Sequence, residues 1–344
     1  MPRSNKPSLL PPNPTEWRTR AEKIGVLGKS IHAAELKSAS KMTERQYLLL
    51  QVLWKTINAD QFNWEYFELK PWENEAEKLL QAYPCWRKYC ESLAQGPRAA
   101  VCTSTFAVPQ ELQRHAAVTD SPMSASISRL ANLRLGDTPS KSTGTVPTYP
   151  DDDDDEEGDG TMITFLMALT LHSGLGNKWS IHRCQLKAEF PSAFFEARTD
   201  GYLVDKWCKK KIRALIEVKA VRRSESIAMS VRMEEAAQMV AWIKQHPDHN
   251  GFLNRRGRCF HVSQDRHQIF IIMAEYDENY MGFIDDRIPP DAGENSPGAF
   301  MTTHEYGPWN TTDPSHMRKV ARILVAMALR AEADRVAEEA SESE

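Results

Sequence analysis

The sequence predicts an α/β fold, a mixed sheet flanked by helices, with a helical region ahead of it. Two observations carry that expectation. Residues 13–96 show helix-start signals and helical apolar spacing, and from residue 161 onward helical runs alternate with strand-like runs. The resulting order of helix, three strands, helix and strand indicates a mixed sheet rather than a bundle or a sandwich. At 344 residues the chain holds a sizeable core, in two domains or in one with large additions.

In the first region, Asn13 is the expected N-cap ahead of Pro14 and Glu16, and Thr43 with Gln46 repeats the pattern. The apolar run "YLLLQVLWKTI" is read as helix, as is the amphipathic stretch from Asn74 to Leu93. Trp54, Trp64, Trp72 and Trp86 are expected as core or interface anchors. Residues 97–160 dissolve into Ser, Thr, Pro and Ala and end in "DDDDDEEGDG". A run of like charges cannot bury itself, so this reads as a disordered linker, the alternative being a tail for a basic partner. The third region, 161–340, opens with a helix at about 161–172, followed by strand-like "WSIHRCQLKAEF", "RTDGYLVD" and "IRALIEVKA". A long helix at about 225–245, the strand "HQIFIIMAEYD" and a further strand at "YMGFID" come next. Asp313 and Pro314 then open a C-terminal helix striped with Met317, Val320, Ala321, Leu324 and Ala328.

Composition narrows the function classes without choosing one. An apolar fraction of 41% and a charged fraction of 26% are ordinary for a water-soluble chain, so the placement of charge matters more than the net −4. The start lacks a signal-peptide core and "MITFLMALTL" is too short to cross a bilayer, so an intracellular protein is expected, nuclear or cytoplasmic, without a membrane partner. Cys85, Cys90, Cys102, Cys184, Cys208 and Cys259 show no CxxC spacing and are read as free thiols. "HPDH" at 246–249 lacks ligand partners and is read as a loop.

The stretch "TDGYLVDKWCKKKIRALIEVKA" (199–220) carries the chemistry. Along its second strand Leu215, Glu217 and Lys219 share one face, while Ala214, Ile216 and Val218 form the apolar other face. If "KWCKKK" links a hairpin, Asp205 pairs with Ile212 and Asp200 falls opposite Glu217, two carboxylates roughly 5 Å apart at Cβ. Like charges in such a pair are unfavourable alone, and a divalent cation resolves them. Lys219 would then orient or deprotonate water, or stabilise charge on a phosphate. The plain alternative is turn chemistry at Asp200 and an exposed ion pair between Glu217 and Lys219.

Asp200, Glu217-Val218-Lys219 and Gln238 together resemble the active-site signature of the PD-(D/E)XK nuclease superfamily, in the nuclease-like branch found in many uncharacterised fungal proteins. The resemblance covers about 161–285. It implies a restriction-endonuclease-like core, Mg²⁺ or Mn²⁺ held by Asp200, Glu217 and the Val218 carbonyl, and catalytic roles for Lys219 and Gln238. Gln238 with Trp242 is similar to the Q-x-x-x-Y of RecB-like members. The naming proline is replaced by Thr199, and the first helix contains no acid; Glu189 or Glu196 could substitute. Met229, Met233, Ala236, Val240 and Ile243 form one helical stripe and Ile227, Val231, Gln238 and Trp242 another. Either the helix is covered on two faces, with the N-terminal helices as candidate cover, or Gln238 is turned from the site.

A polyanionic substrate calls for basic residues. Arg198, Lys209, Lys210, Lys211 and Arg222 are the expected substrate contacts, with Lys206, Arg213 and Arg223 nearby in sequence; Lys209–Lys211 read equally as a solvated hairpin tip. The expected function is metal-dependent phosphodiester hydrolysis of nucleic acid, DNA ahead of RNA. The alternative is an inactive nuclease-fold protein that binds nucleic acid or a protein, with the N-terminal helices or the acidic linker available to a protein partner.

Overall fold

The computed structural model describes residues 10–96, 104–118, 161–170, 175–206, 211–247, 258–293 and 298–342. Nine strands are found among them: β1 (Val52–Ile57), β2 (Asn177–Ser180), β3 (Cys184–Phe190), β4 (Ala193–Thr199), β5 (Gly201–Asp205), β6 (Ile212–Lys219), β7 (Arg258–Asp265), β8 (Gln268–Glu275) and β9 (Met301–Asn310). Seven form one mixed sheet in the order β1-β9-β8-β7-β6-β5-β2, parallel between β1 and β9 and between β6 and β7 and otherwise antiparallel. β3 and β4 make a separate hairpin. No helix among the described residues is long and apolar enough to cross a membrane.

Helices cover both faces of the sheet. On one lie α1 (Pro14–Lys23) and α2 (Glu44–Leu49), the β3–β4 hairpin, and, in chain order after α3 to α6, α7 (Ala228–Gln245) and α8 (Glu278–Ile284). On the other lie α3 (Lys70–Ala82), α4 (Pro84–Ala94), α5 (Ala107–Val118), α6 (Thr161–Thr170) and the C-terminal α9 (Pro314–Glu342). β6 shows how its alternation divides the two cores: Leu215 joins the first, while Ala214, Ile216 and Val218 join the second. The caps at Asn13 and Thr43 form as expected, their side chains accepting the N–H groups of Glu16 and Gln46.

Several elements differ from the sequence expectation, each for a local reason. The run "YLLLQVLWKTI" is helical only to Leu49; Gln51 takes φ 53°, and Val52–Ile57 becomes β1, pairing with β9 in the main sheet. The β-branched Val52, Thr56 and Ile57 suit that strand. Residues 13–96 are therefore not a purely helical region. "WSIHRCQLKAEF" and "RTDGYLVD" each divide, the first into β2 and β3, the second so that Asp200 stands between β4 and β5. "YMGFID" is not a strand but most of α8, started by Asp277, whose carboxylate accepts the Tyr280 N–H (2.9 Å), with Tyr280, Phe283 and Ile284 buried at helical spacing. Residues 107–118, placed in the expected linker, form α5; nearby Phe106 packs among Trp86, Tyr89 and Phe165. The acidic run lies outside the described residues.

The β5–β6 hairpin contains one irregularity. Leu203 faces Ala214 but Val204 faces Ile212, so Arg213 is an extra residue bulged from the ladder. Its buried guanidinium donates to Asp205 (2.6 Å) and Glu338 (2.9 Å), tying α9 to the sheet. The expected Asp205–Ile212 pairing is thus off by one residue. Toward the other end the expected register holds: Gly201 faces Ile216.

Candidate active site

Past the last ladder pair of β5 and β6, the Asp200 N–H donates to the Ile216 carbonyl (3.0 Å), setting Asp200 beside Glu217. The Val218 N–H in turn donates to Asp200 Oδ2 (2.9 Å). Glu217, 4% exposed, has both oxygens engaged: Lys219 Nζ is 2.9 Å from Oε1, and Gln238 Nε2 donates to Oε2 at 2.7 Å. Gln238 also donates to the Arg198 carbonyl (2.8 Å), and its Oε1 lies 2.8 Å from His261 Nε2. These bonds settle the orientation of α7. Its Gln238 face meets the sheet, and its other face packs on β3, β4 and the Ala39–Lys41 turn, so the helix is covered on both sides.

One turn earlier on α7, Glu234 Oε2 is 2.9 Å from Lys219 Nζ. The sequence reading missed this third carboxylate. Its signal was available, because residue 234 precedes Gln238 by four and shares its face of the helix. Arg183, also missed, places Nε 3.7 Å from Asp200 Oδ1. Among the described residues no group of three or more His, Cys, Asp or Glu side chains forms a ready-made metal cage.

Burial and mutual repulsion shape the site's electrostatics. Burial raises the Asp200 carboxyl, partly offset by the Val218 N–H and Lys219. Glu217 is pushed well above the usual carboxylate range, first by burial and then by Asp200. Lys219 is also raised: Glu217 and Glu234 outweigh the burial that opposes its charge, so it is an ammonium. Asp200, Glu217 and Glu234 bring three carboxyl groups to this end of the sheet, against Lys219 and Arg183. Hard carboxylate oxygens are the donor set that Mg²⁺ or Mn²⁺ takes, and a cation there would offset the burial and the Asp200 repulsion that raise Glu217, so Asp200 and Glu217 fit such an ion.

Next to this site, Ser263 and Asp265 of β7 pair with Glu217 and Lys219 of β6. Asp265 binds Arg223 (2.5 Å), which also reaches Glu235 (2.5 Å) and Glu305 (3.0 Å); Glu305 accepts further bonds from Arg232 (2.7 Å) and Trp54 (2.9 Å). Three buried acids thus share two arginines. Burial, reinforced by Asp265 and Glu305 against Arg223, raises Glu235 to about 7. A carboxyl raised in the folded state contributes stability that is complete below its unfolded pKa and is lost as pH rises through the folded value. The expected result is that the unfolding free energy of the wild type, measured against Glu235→Gln by urea titration, falls between about pH 5 and pH 8. A flat difference would count against the raised carboxyl.

The structure brings together Asp200, Glu217, Val218, Lys219 and Gln238, with Arg198 contributing its carbonyl beneath an exposed side chain. Arg222 is exposed in the loop after β6. Lys211 is placed elsewhere: it pairs with Glu338 (2.7 Å) at the far end of β6, six residues and roughly 20 Å of strand from Glu217. Lys209 and Lys210 lie outside the described residues. Arg213 and Arg223, near the motif in sequence, are buried against acids instead of forming a rim. Glu189 is exposed and paired with Lys187 on β3, and no contact joins it to Asp200. Cys85, Cys90, Cys184 and Cys259 are free thiols. Comparisons with protein-family models, with curated proteins and with solved structures find no match to this chain.

Proposed function

We propose that the chain is a metal-dependent phosphodiesterase that hydrolyses nucleic acid, with a restriction-endonuclease-like core. The observation that carries this reading is the convergence of Asp200, Glu217 and Lys219 at one end of the β5–β6 hairpin, with Gln238 of the following helix bound to Glu217. The order α6, β2, β5, β6, α7, β7, with β6 and β7 parallel, agrees with it.

Asp200 and Glu217, with the Val218 carbonyl, would hold Mg²⁺ or Mn²⁺, which supplies charge neutralisation and an acidified water. The protein's own part is positional. Gln238 fixes the Glu217 carboxylate, and the Val218 N–H fixes that of Asp200. Lys219, held protonated between two carboxylates, is suited to stabilise charge building on a phosphate or to orient water, and less suited to abstract a proton. Exposed Arg198 and Arg222 near this end are suited to phosphate contacts, and Arg183 stands there with its Nε 3.7 Å from Asp200 Oδ1.

The non-cleaving alternative draws support from one observation: Lys211, Arg213 and Arg223 are committed to carboxylates, which thins the basic rim. The test is a cleavage assay on mixed DNA and RNA with Mg²⁺ or Mn²⁺, with and without a chelator. Cleavage that stops with chelation and in Glu217→Ala and Lys219→Ala is expected. Cleavage surviving both substitutions rejects this site, and binding without cleavage in all three proteins selects the alternative.

A further inference from the structure

We infer that Glu234 is a positioning residue that keeps the Lys219 ammonium at the site when a divalent cation engages Glu217. The inference rests on the metal-dependent reading above. Lys219 Nζ is 2.9 Å from Glu217 and 2.9 Å from Glu234, so one ammonium is shared between a strand carboxylate and a helix carboxylate.

The geometry that produces this sharing is a match of repeats. Glu217 to Lys219 spans two strand residues, about 6.6 Å, and Glu234 to Gln238 spans four helical residues, about 6 Å. With α7 running opposite to β6, Gln238 sits on Glu217 while Glu234 sits on Lys219. Both pairs are largely shielded: side-chain exposure is 19% for Lys219, 14% for Glu234 and 5% for Glu217.

A cation held by Asp200 and Glu217 competes for the oxygen that Lys219 uses and repels the ammonium. Glu217 alone could not retain it, because its other oxygen is already bound to Gln238. A four-carbon stem would then let the ammonium turn to solvent. Glu234 supplies a second anchor on a different element, which lets cation and ammonium occupy the site together.

The experiment reads Lys219 directly, without turnover. Wild type, Glu234→Gln and Glu234→Asp are treated with an amine-acylating ester, with and without saturating Mn²⁺ and no nucleic acid, and labelling at Lys219 is followed by mass spectrometry. Calorimetry measures Mn²⁺ binding in parallel. In the wild type and in Glu234→Asp, Mn²⁺ should leave labelling nearly unchanged; in Glu234→Gln it should rise by at least about fivefold, the loss of one partly buried ion pair. Mn²⁺ binding should persist in Glu234→Gln. Equal protection of Lys219 in Glu234→Gln with Mn²⁺ bound overturns the inference and leaves the metal-dependent reading intact. Loss of Mn²⁺ binding in Glu234→Gln alone also overturns it, by making Glu234 a ligand. Absence of Mn²⁺ binding in the wild type overturns both. In cleavage, Glu234→Gln should lower kcat without a matching change in KM.

Discussion

Replacing Arg223 by methionine is expected to lower the unfolding free energy by about 3–5 kcal/mol, the range for removing one partner of a buried ion network. Arg223 is the hub of Asp265, Glu235 and Glu305, and its side chain is 2% exposed. Without it, Arg232 alone faces three acids, and it already serves Glu305. Methionine keeps an unbranched stem of similar bulk but removes the guanidinium, which lies 4.2 Å from the centre of the Phe270 ring, so the loss reflects charge and that stacking more than volume. The loss should be larger at pH 8 than at pH 6, because an uncompensated buried carboxyl escapes its penalty by taking a proton, and Glu235 is already raised to about 7 with Arg223 present. Urea unfolding followed by tryptophan fluorescence measures both values. Exposed Arg222→Met is the control, expected within about 0.5 kcal/mol of wild type. Equal effects from the two substitutions would show that the network contributes no net stability.

That network also marks where sequence reading stops. The Asp200–Glu217 juxtaposition follows from the sequence by counting back from an Asp205–Ile212 pair that does not form; the bulge at Arg213 shifts the ladder by the one residue that restores the counted register at Gly201–Ile216. The bulge left no local signal: an arginine in an apolar strand reads as an exposed residue until Asp205 and Glu338, 125 residues away, are seen to bury it. Arg223 was misplaced for the same reason, its partners being drawn from α7, β7 and β9. β7 and β9 were not read at all. "RCFHVSQD" mixes polar and apolar residues without alternation, yet every one of them is buried, because both faces of a central strand are covered and its polar side chains complete hydrogen-bond sets supplied from elsewhere. β1 was read as helix because apolar density outweighed its β-branched residues, and only pairing with β9 decides the matter. Periodicity places elements that answer to their own sequence; central strands and buried charges answer to partners far along the chain.

Glu217→Gln is expected to abolish cleavage, by about 10³-fold or more, while leaving the fold as stable as the wild type or more so. The two effects have opposite signs for one reason. Glu217 lies in a buried position where burial and Asp200 both disfavour its charge, so the carboxylate is retained at a cost to stability. An amide of the same shape removes the repulsion from Asp200, and its carbonyl oxygen can still accept from Gln238 Nε2, which keeps its bonds to the Arg198 carbonyl and His261. Lys219 keeps Glu234 as a partner, so no buried ammonium is left unpaired. What the amide cannot supply is the second negative oxygen donor for a divalent cation, and with it goes the acidified water. Thermal unfolding and Mg²⁺- or Mn²⁺-supported cleavage, measured on the same preparation, check both halves. A variant that loses stability by more than about 1 kcal/mol while cleaving normally would show that Glu217 is a structural ion-pair partner, which returns the cluster to the reading of a strand ending in paired charges.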